Sequence, residues 1–137
     1  MSPVQHPVTG HVLSFSLADE MRTVRDALGA HGASRERAGR TLVKDGPLRV
    51  TLVAVGAGGG LEPHRAEGPI SVHVLEGEIA FEAEGRTWTL GPGDLLALDR
   101  GIPHAVRSER GGVFLLTVVL PTGAGSGAQQ SADAHAG

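Results

Sequence analysis

The chemistry available to this chain is set by its seven histidines and fifteen carboxylates, because it contains no cysteine. Thiol nucleophiles, thiolate metal sites and disulfide frameworks are therefore excluded, and any metal must be held by His, Asp or Glu. An imidazole near its unperturbed pKa exchanges protons at neutral pH and offers a lone pair to a divalent metal, so each histidine is weighed first. His64, His73 and His104 lie in the β-branched middle of the sequence. His6, His11 and His31 show no metal-ligand spacing among themselves, and His135 lies in a run of small residues; these four read as surface groups. No Ser-His-Asp order and no paired carboxylates stand out. Gly58-Gly59-Gly60 has the look of a phosphate loop, but no Lys-Ser/Thr follows it and it opens no helix, so it reads as a flexible corner between strands.

The elements that must position these residues fit one domain. At 137 residues the chain is too short for a multidomain enzyme. Twelve basic against fifteen acidic side chains, with three Phe, one Trp and no Tyr, leave neither a basic field nor a stacking platform for nucleic acid. The first residues have neither a cationic nor an apolar targeting pattern, and Val113 to Leu120 is far too short to span a bilayer, so the expectation is a cytoplasmic protein with no membrane partner.

Residues 1–40 read as an N-terminal extension carrying one amphipathic helix at about 16–29. Leu17, Met21, Val24 and Leu28 form its stripe, Ser16 with Asp19 resembles a capping box, and Gly29 suits a left-handed terminus. The stripe should pack on the domain or on a partner subunit. Ala30 to Arg40 is polar and reads as a loop. Residues 41–120 read as a β-barrel of short strands: Thr41 to Lys44, Leu48 to Val55, Ser71 to Leu75, Glu78 to Glu84, Arg86 to Leu90, Asp94 to Leu98, His104 to Arg107 and Val113 to Val119, separated by glycine-bearing turns. With no helices between strands, an antiparallel sandwich or barrel is expected. Residues 121–137 read as a flexible Gly/Ala/Ser tail. Alternation points Ile79, Phe81 and Ala83 inward, along with Val72 and Val74, and sends His73 to the opposite side. Trp88, between Thr87 and Thr89, reads as a strand packing residue.

The segment from Gly58 through His64 to Gly77 resembles the first motif of the cupins, G-x5-H-x-H-x3-E-x6-G, with Gly58, His64 and Gly77 in register. Gly93 to Ser108 resembles the second, G-x5-P-x-G-x2-H-x3-N, with Gly93, Gly101 and His104 in register. The resemblance covers roughly Thr41 to Leu120 and implies an all-β double-stranded β-helix, the small jelly-roll barrel, preceded here by a short helical extension. The family's metal cage takes two His and one Glu from the first motif and one His from the second. In this chain His64 and His104 occupy ligand positions, while Ala66 replaces the second His, Ile70 the Glu, Asp99 the Pro and Ser108 the Asn. Iron or manganese would lack protein donors in such a set.

Three readings of His64 and His104 follow. They are structural imidazoles; or a sparse site in which water, a ligand or Glu62 helps them hold Zn²⁺ or a related ion; or a metal-free pair that moves protons or polarises a ligand. Glu62, two residues before His64, reads as a solvated rim residue, with a shared inward face on a regular strand as the alternative. His73 reaches the inside only if a bulge shifts its strand. Arg65 and Arg100, beside the histidine corners, either orient an anionic ligand or are solvated.

The reading with most support is a small-molecule-binding barrel with an incomplete metal cage and no tightly held metal. Val72, Val74, Ile79 and Phe81 line its pocket, and His64 and His104 supply its polarity. A cupin enzyme of isomerase, cyclase or dioxygenase-like type is the alternative. Open sheet edges and the helix stripe point to a homodimer.

Overall fold

The computed structural model describes residues 12–29 and 36–121. His6, His11, His31, His135 and the tail beyond residue 121 lie outside the described residues. One helix, α1 (Leu17–Gly29), precedes nine strands: β1 (Arg37–Asp45), β2 (Leu48–Val55), β3 (Gly60–His64), β4 (Ile70–Gly77), β5 (Ile79–Ala83), β6 (Arg86–Leu90), β7 (Leu95–Leu98), β8 (His104–Arg107) and β9 (Gly112–Val119). They form two antiparallel sheets, ordered β1-β2-β9-β4-β7 and β3-β8-β5-β6. This is the all-β jelly-roll barrel with an N-terminal helix that the resemblance implied.

Alternation explains how the two sheets share a core. Val53 and Val55 of β2, Val72 and Val74 of β4, and Phe114 and Leu116 of β9 face Ile79, Phe81, Leu61 and Val106 of the other sheet in one buried cluster. The other face of the larger sheet buries Leu42, Leu52, Ala54 and Val113 beneath α1, whose Val24 is fully enclosed while Leu17, Met21 and Leu28 pack around it. The apolar stripe is thus used within its own domain. Arg40 Nε donates to Glu20 Oε1 at 2.5 Å, and Arg25 pairs with Glu76, tying the helix to β1 and β4. The Ser16 hydroxyl accepts the Asp19 amide at 3.3 Å, satisfying one open donor of the first turn. Gly29 ends the helix but does not adopt the left-handed conformation expected of it.

Two further expectations need correction. Arg37 to Arg40, expected as loop, form the start of β1, an edge strand whose polar residues need only one hydrogen-bonded neighbour. The boundary placed at residue 41 therefore falls inside a strand. The glycine corner leads directly into β3, which period-two alternation did not reveal.

Candidate functional site

His64 and His104 are direct cross-strand partners on β3 and β8. Their meeting depends on a bulge. Leu61 faces Val106, and regular alternation from Leu61 would send His64 to the opposite face. Glu62 and Pro63 together oppose the single residue Ala105, so the parity slips by one and His64 comes back beside His104. Pro63 suits such a site because it has no amide to offer the ladder. The same slip takes Glu62 off the face of His64: its side chain is exposed, as a rim position requires, and its carbonyl accepts from His64 Nδ1.

The rings of His64 and His104 lie 4.3 Å apart between centroids and meet edge to face at 61°. His104, 5% exposed, stacks on Phe81 at 5.3 Å and 11°. His64 Nδ1 donates to the Glu62 carbonyl at 2.6 Å, and His104 Nδ1 donates to the Ile102 carbonyl at 2.9 Å. A carbonyl oxygen only accepts, so in both rings Nδ1 carries a proton, and the neutral form of each ring keeps its lone pair on Nε2. This is the arrangement that fixes ring orientation in metal-binding and proton-transferring histidines alike.

The other positions of the cage hold hydrocarbon. Ala66 and Ile70 are 6% and 5% exposed and belong to the main core cluster. Among the described residues no three His, Asp or Glu side chains come together as a metal site requires. The usual four-donor cage does not fit this chain.

Val72, Val74, Ile79 and Phe81 are at most 1% exposed and form packed wall, with Phe81 alone of the four carrying a ring contact to a site histidine. Two concavities flank Pro63. One, of about 310 Å³, is bounded by His104, Pro103, Ala83, Ala105, Glu82, Arg86 and Thr87; the other, of about 170 Å³, by Glu36, Gly58 to Glu62, Val106 and Arg107. None of those four apolar residues borders either one. His73 lies on the face of β4 opposite Val72 and Val74, as alternation required. Arg65 and Arg100 are exposed.

The glycine corner works as a corner. Gly58 N donates to Ser108 O at 2.8 Å and Gly59 N to Gly56 O at 2.9 Å, so these amides are committed within the fold and do not form a phosphate cradle. A side chain at Gly60 would place its Cβ 2.1 Å from the Val106 carbonyl oxygen, which is why β3 can lie so close to β8. Ser108, at the Asn position of the motif, is a structural residue that spacing alone did not reveal. Its hydroxyl donates to Glu78 O at 2.7 Å and accepts from Gly111 N at 2.8 Å, joining the turn before β5 to the turn before β9.

Comparison with known proteins agrees with this architecture. The cupin domain family model matches residues 49–120, which is 72 of the 137 residues. A conserved protein of unknown function from Streptococcus pyogenes is 27% identical, with a TM-score of 0.60 over 64% of this chain and 77% of that one. A cupin 2 conserved barrel domain protein from Leptotrichia buccalis is 30% identical, with a TM-score of 0.60 over 63% of this chain and 42% of the other. Salicylate 1,2-dioxygenase from Pseudoaminobacter salicylatoxidans shares the fold at 18% identity, with a TM-score of 0.66 over 77% of this chain and 32% of that enzyme. No curated protein matches the sequence. With its glycine frame, its two facing antiparallel sheets and a family match over more than half its length, the chain belongs to the cupin family.

Proposed function

We propose that this protein binds a small molecule at the His64–His104 pair without a tightly held metal. The observation that carries the reading is the pair itself: two imidazoles 4.3 Å apart, proton-fixed at Nδ1, in a barrel whose remaining cage positions are the buried alkyl groups of Ala66 and Ile70. The concavity beside His104, about 310 Å³, falls at the small end of the range of ligand sites, roughly 300–1,000 Å³. Among its lining residues Ala83, Ala105, Pro63 and Pro103 suit apolar ligand surface, and Glu82, Arg86 and Thr87 suit polar groups.

A second reading, an enzyme of isomerase, cyclase or dioxygenase-like type, draws on the same fixed tautomers, since a pair with defined donor and acceptor nitrogens can relay a proton. We further propose a cytoplasmic homodimer. Its support is the uncovered edge strand β7, whose Leu95 is 67% exposed. Light scattering giving a 14.1 kDa particle would contradict the dimer.

The test is native mass spectrometry of protein purified without chelator, alongside His104→Phe. A co-purifying small molecule bound by the wild type and lost from the variant supports binding at the pair. A molecule retained by the variant places the site elsewhere.

A further inference from the structure

The two site histidines share a local frame found nowhere else in the chain. Of seven histidines, only His64 and His104 directly follow proline, in Glu62-Pro63-His64 and Ile102-Pro103-His104. Both make the same bond, from Nδ1 to the carbonyl of the residue before that proline, at 2.6 and 2.9 Å. The surroundings differ: His104 is buried and follows a turn, while His64 is half-exposed and follows a bulge. The frame is therefore the common factor.

Both prolines are exposed, so neither is held in place for core packing. What proline does supply is torsional. It fixes its own φ near −65° and restricts the residue before it to extended conformations. Between the accepting carbonyl and the histidine Cα, the torsion across proline N–Cα is then set before the ring is placed. The carbonyl stands within reach of Nδ1 at small entropic cost.

We infer that Pro63 and Pro103 are positioning residues that hold His64 and His104 in the Nδ1–H tautomer, so that each ring meets a ligand through Nε2. The inference rests on reading this pair as the binding site for its functional meaning. The tautomer itself is a property of the ligand-free protein, so failure to find a ligand and failure of the tautomer assignment are separate results.

The test uses the full chain labelled with ¹⁵N at histidine and long-range ¹H–¹⁵N correlation at about pH 8.5, above ordinary imidazole titration. In the wild type, His64 and His104 should carry the proton on Nδ1, with His73 as an internal reference outside the Pro-His frame. In Pro63→Ala the Nδ1–H to Nε2–H ratio of His64 should fall by roughly two- to ten-fold, the worth of one hydrogen bond, with His104 unchanged. Pro103→Ala should do the converse. The two substitutions are read independently, each with circular dichroism to establish that the barrel is intact. A proton on Nε2 of either wild-type ring overturns the proposal. So does an unchanged ratio at the adjacent histidine in a folded proline variant, an outcome that a role confined to stability would produce.

Discussion

Truncating His104 and His64 to alanine is the same chemical change at two paired positions, and the structure assigns the two very different costs. His104 is 5% exposed. Its removal forfeits the stack on Phe81, about 0.5–1.5 kcal/mol for a ring pair, while the edge contact between the two histidines is lost in either variant and cancels in the comparison. It also forfeits the Nδ1–H bond to Ile102 O, about 1 kcal/mol, and opens space next to an existing concavity, about 1 kcal/mol more. The total is about 3 kcal/mol. His64 is half-exposed and its acceptor is the carbonyl of an exposed residue, so water can replace the lost bond and the cost is about 1 kcal/mol or less. For a domain of this size about 4 °C of Tm accompanies each kcal/mol, which predicts a fall of about 12 °C for His104→Ala and about 4 °C or less for His64→Ala. His104→Phe, which retains a ring over Phe81, should recover most of the loss. Thermal and urea unfolding followed by circular dichroism read all three. Equal costs for the two alanine variants, or a larger cost at His64, would refute the asymmetry and the burial argument behind it.

Three further substitutions probe how the barrel holds its corners. Ser108→Ala removes the two hydroxyl bonds that brace the turns before β5 and β9, leaving only the Glu78 N to Gly111 O backbone bond between them, and should lower stability by about 2 kcal/mol in urea unfolding; an unchanged midpoint would contradict the bracing role. Gly68→Ala would put a Cβ 1.6 Å from the Val119 carbonyl oxygen, so it should cost more than about 3 kcal/mol or yield insoluble protein, and a wild-type Tm would show that the strand end yields freely. Val24→Asp places a carboxylate in the enclosed seam between α1 and the larger sheet, with an expected cost of about 3–5 kcal/mol; stability equal to wild type would mean that the helix is not docked there.

The parts of the fold written in regular alternation were legible in the sequence. Ile79, Phe81 and Ala83 turn inward and His73 faces away from Val72 and Val74, because period-two patterning reports the face directly. Alternation fails where the backbone departs from it. The Glu62–Pro63 bulge shifts His64 by one position and hides β3, and it misleads any parity argument that puts Glu62 beside His64. Patterning also reports only which face a residue takes, and is silent on whether that face is packed or hollow. Val72, Val74 and Ile79 point the expected way and are solid core. Arg37 to Arg40 escaped notice because an edge strand with a polar face has loop-like composition. Ser108 stood out as a departure from a ligand pattern, while its hydrogen bonds reach residues up to thirty positions away.

This cupin keeps the imidazole pair of the family's metal cage, with alkyl groups at the positions of the other donors. Elemental analysis of native protein purified without chelator tests it most directly. No stoichiometric transition metal is expected in the wild type, because two imidazoles fall short of the three protein ligands that a zinc site normally keeps. One tightly held metal ion per chain, lost on replacing either His64 or His104, would contradict it.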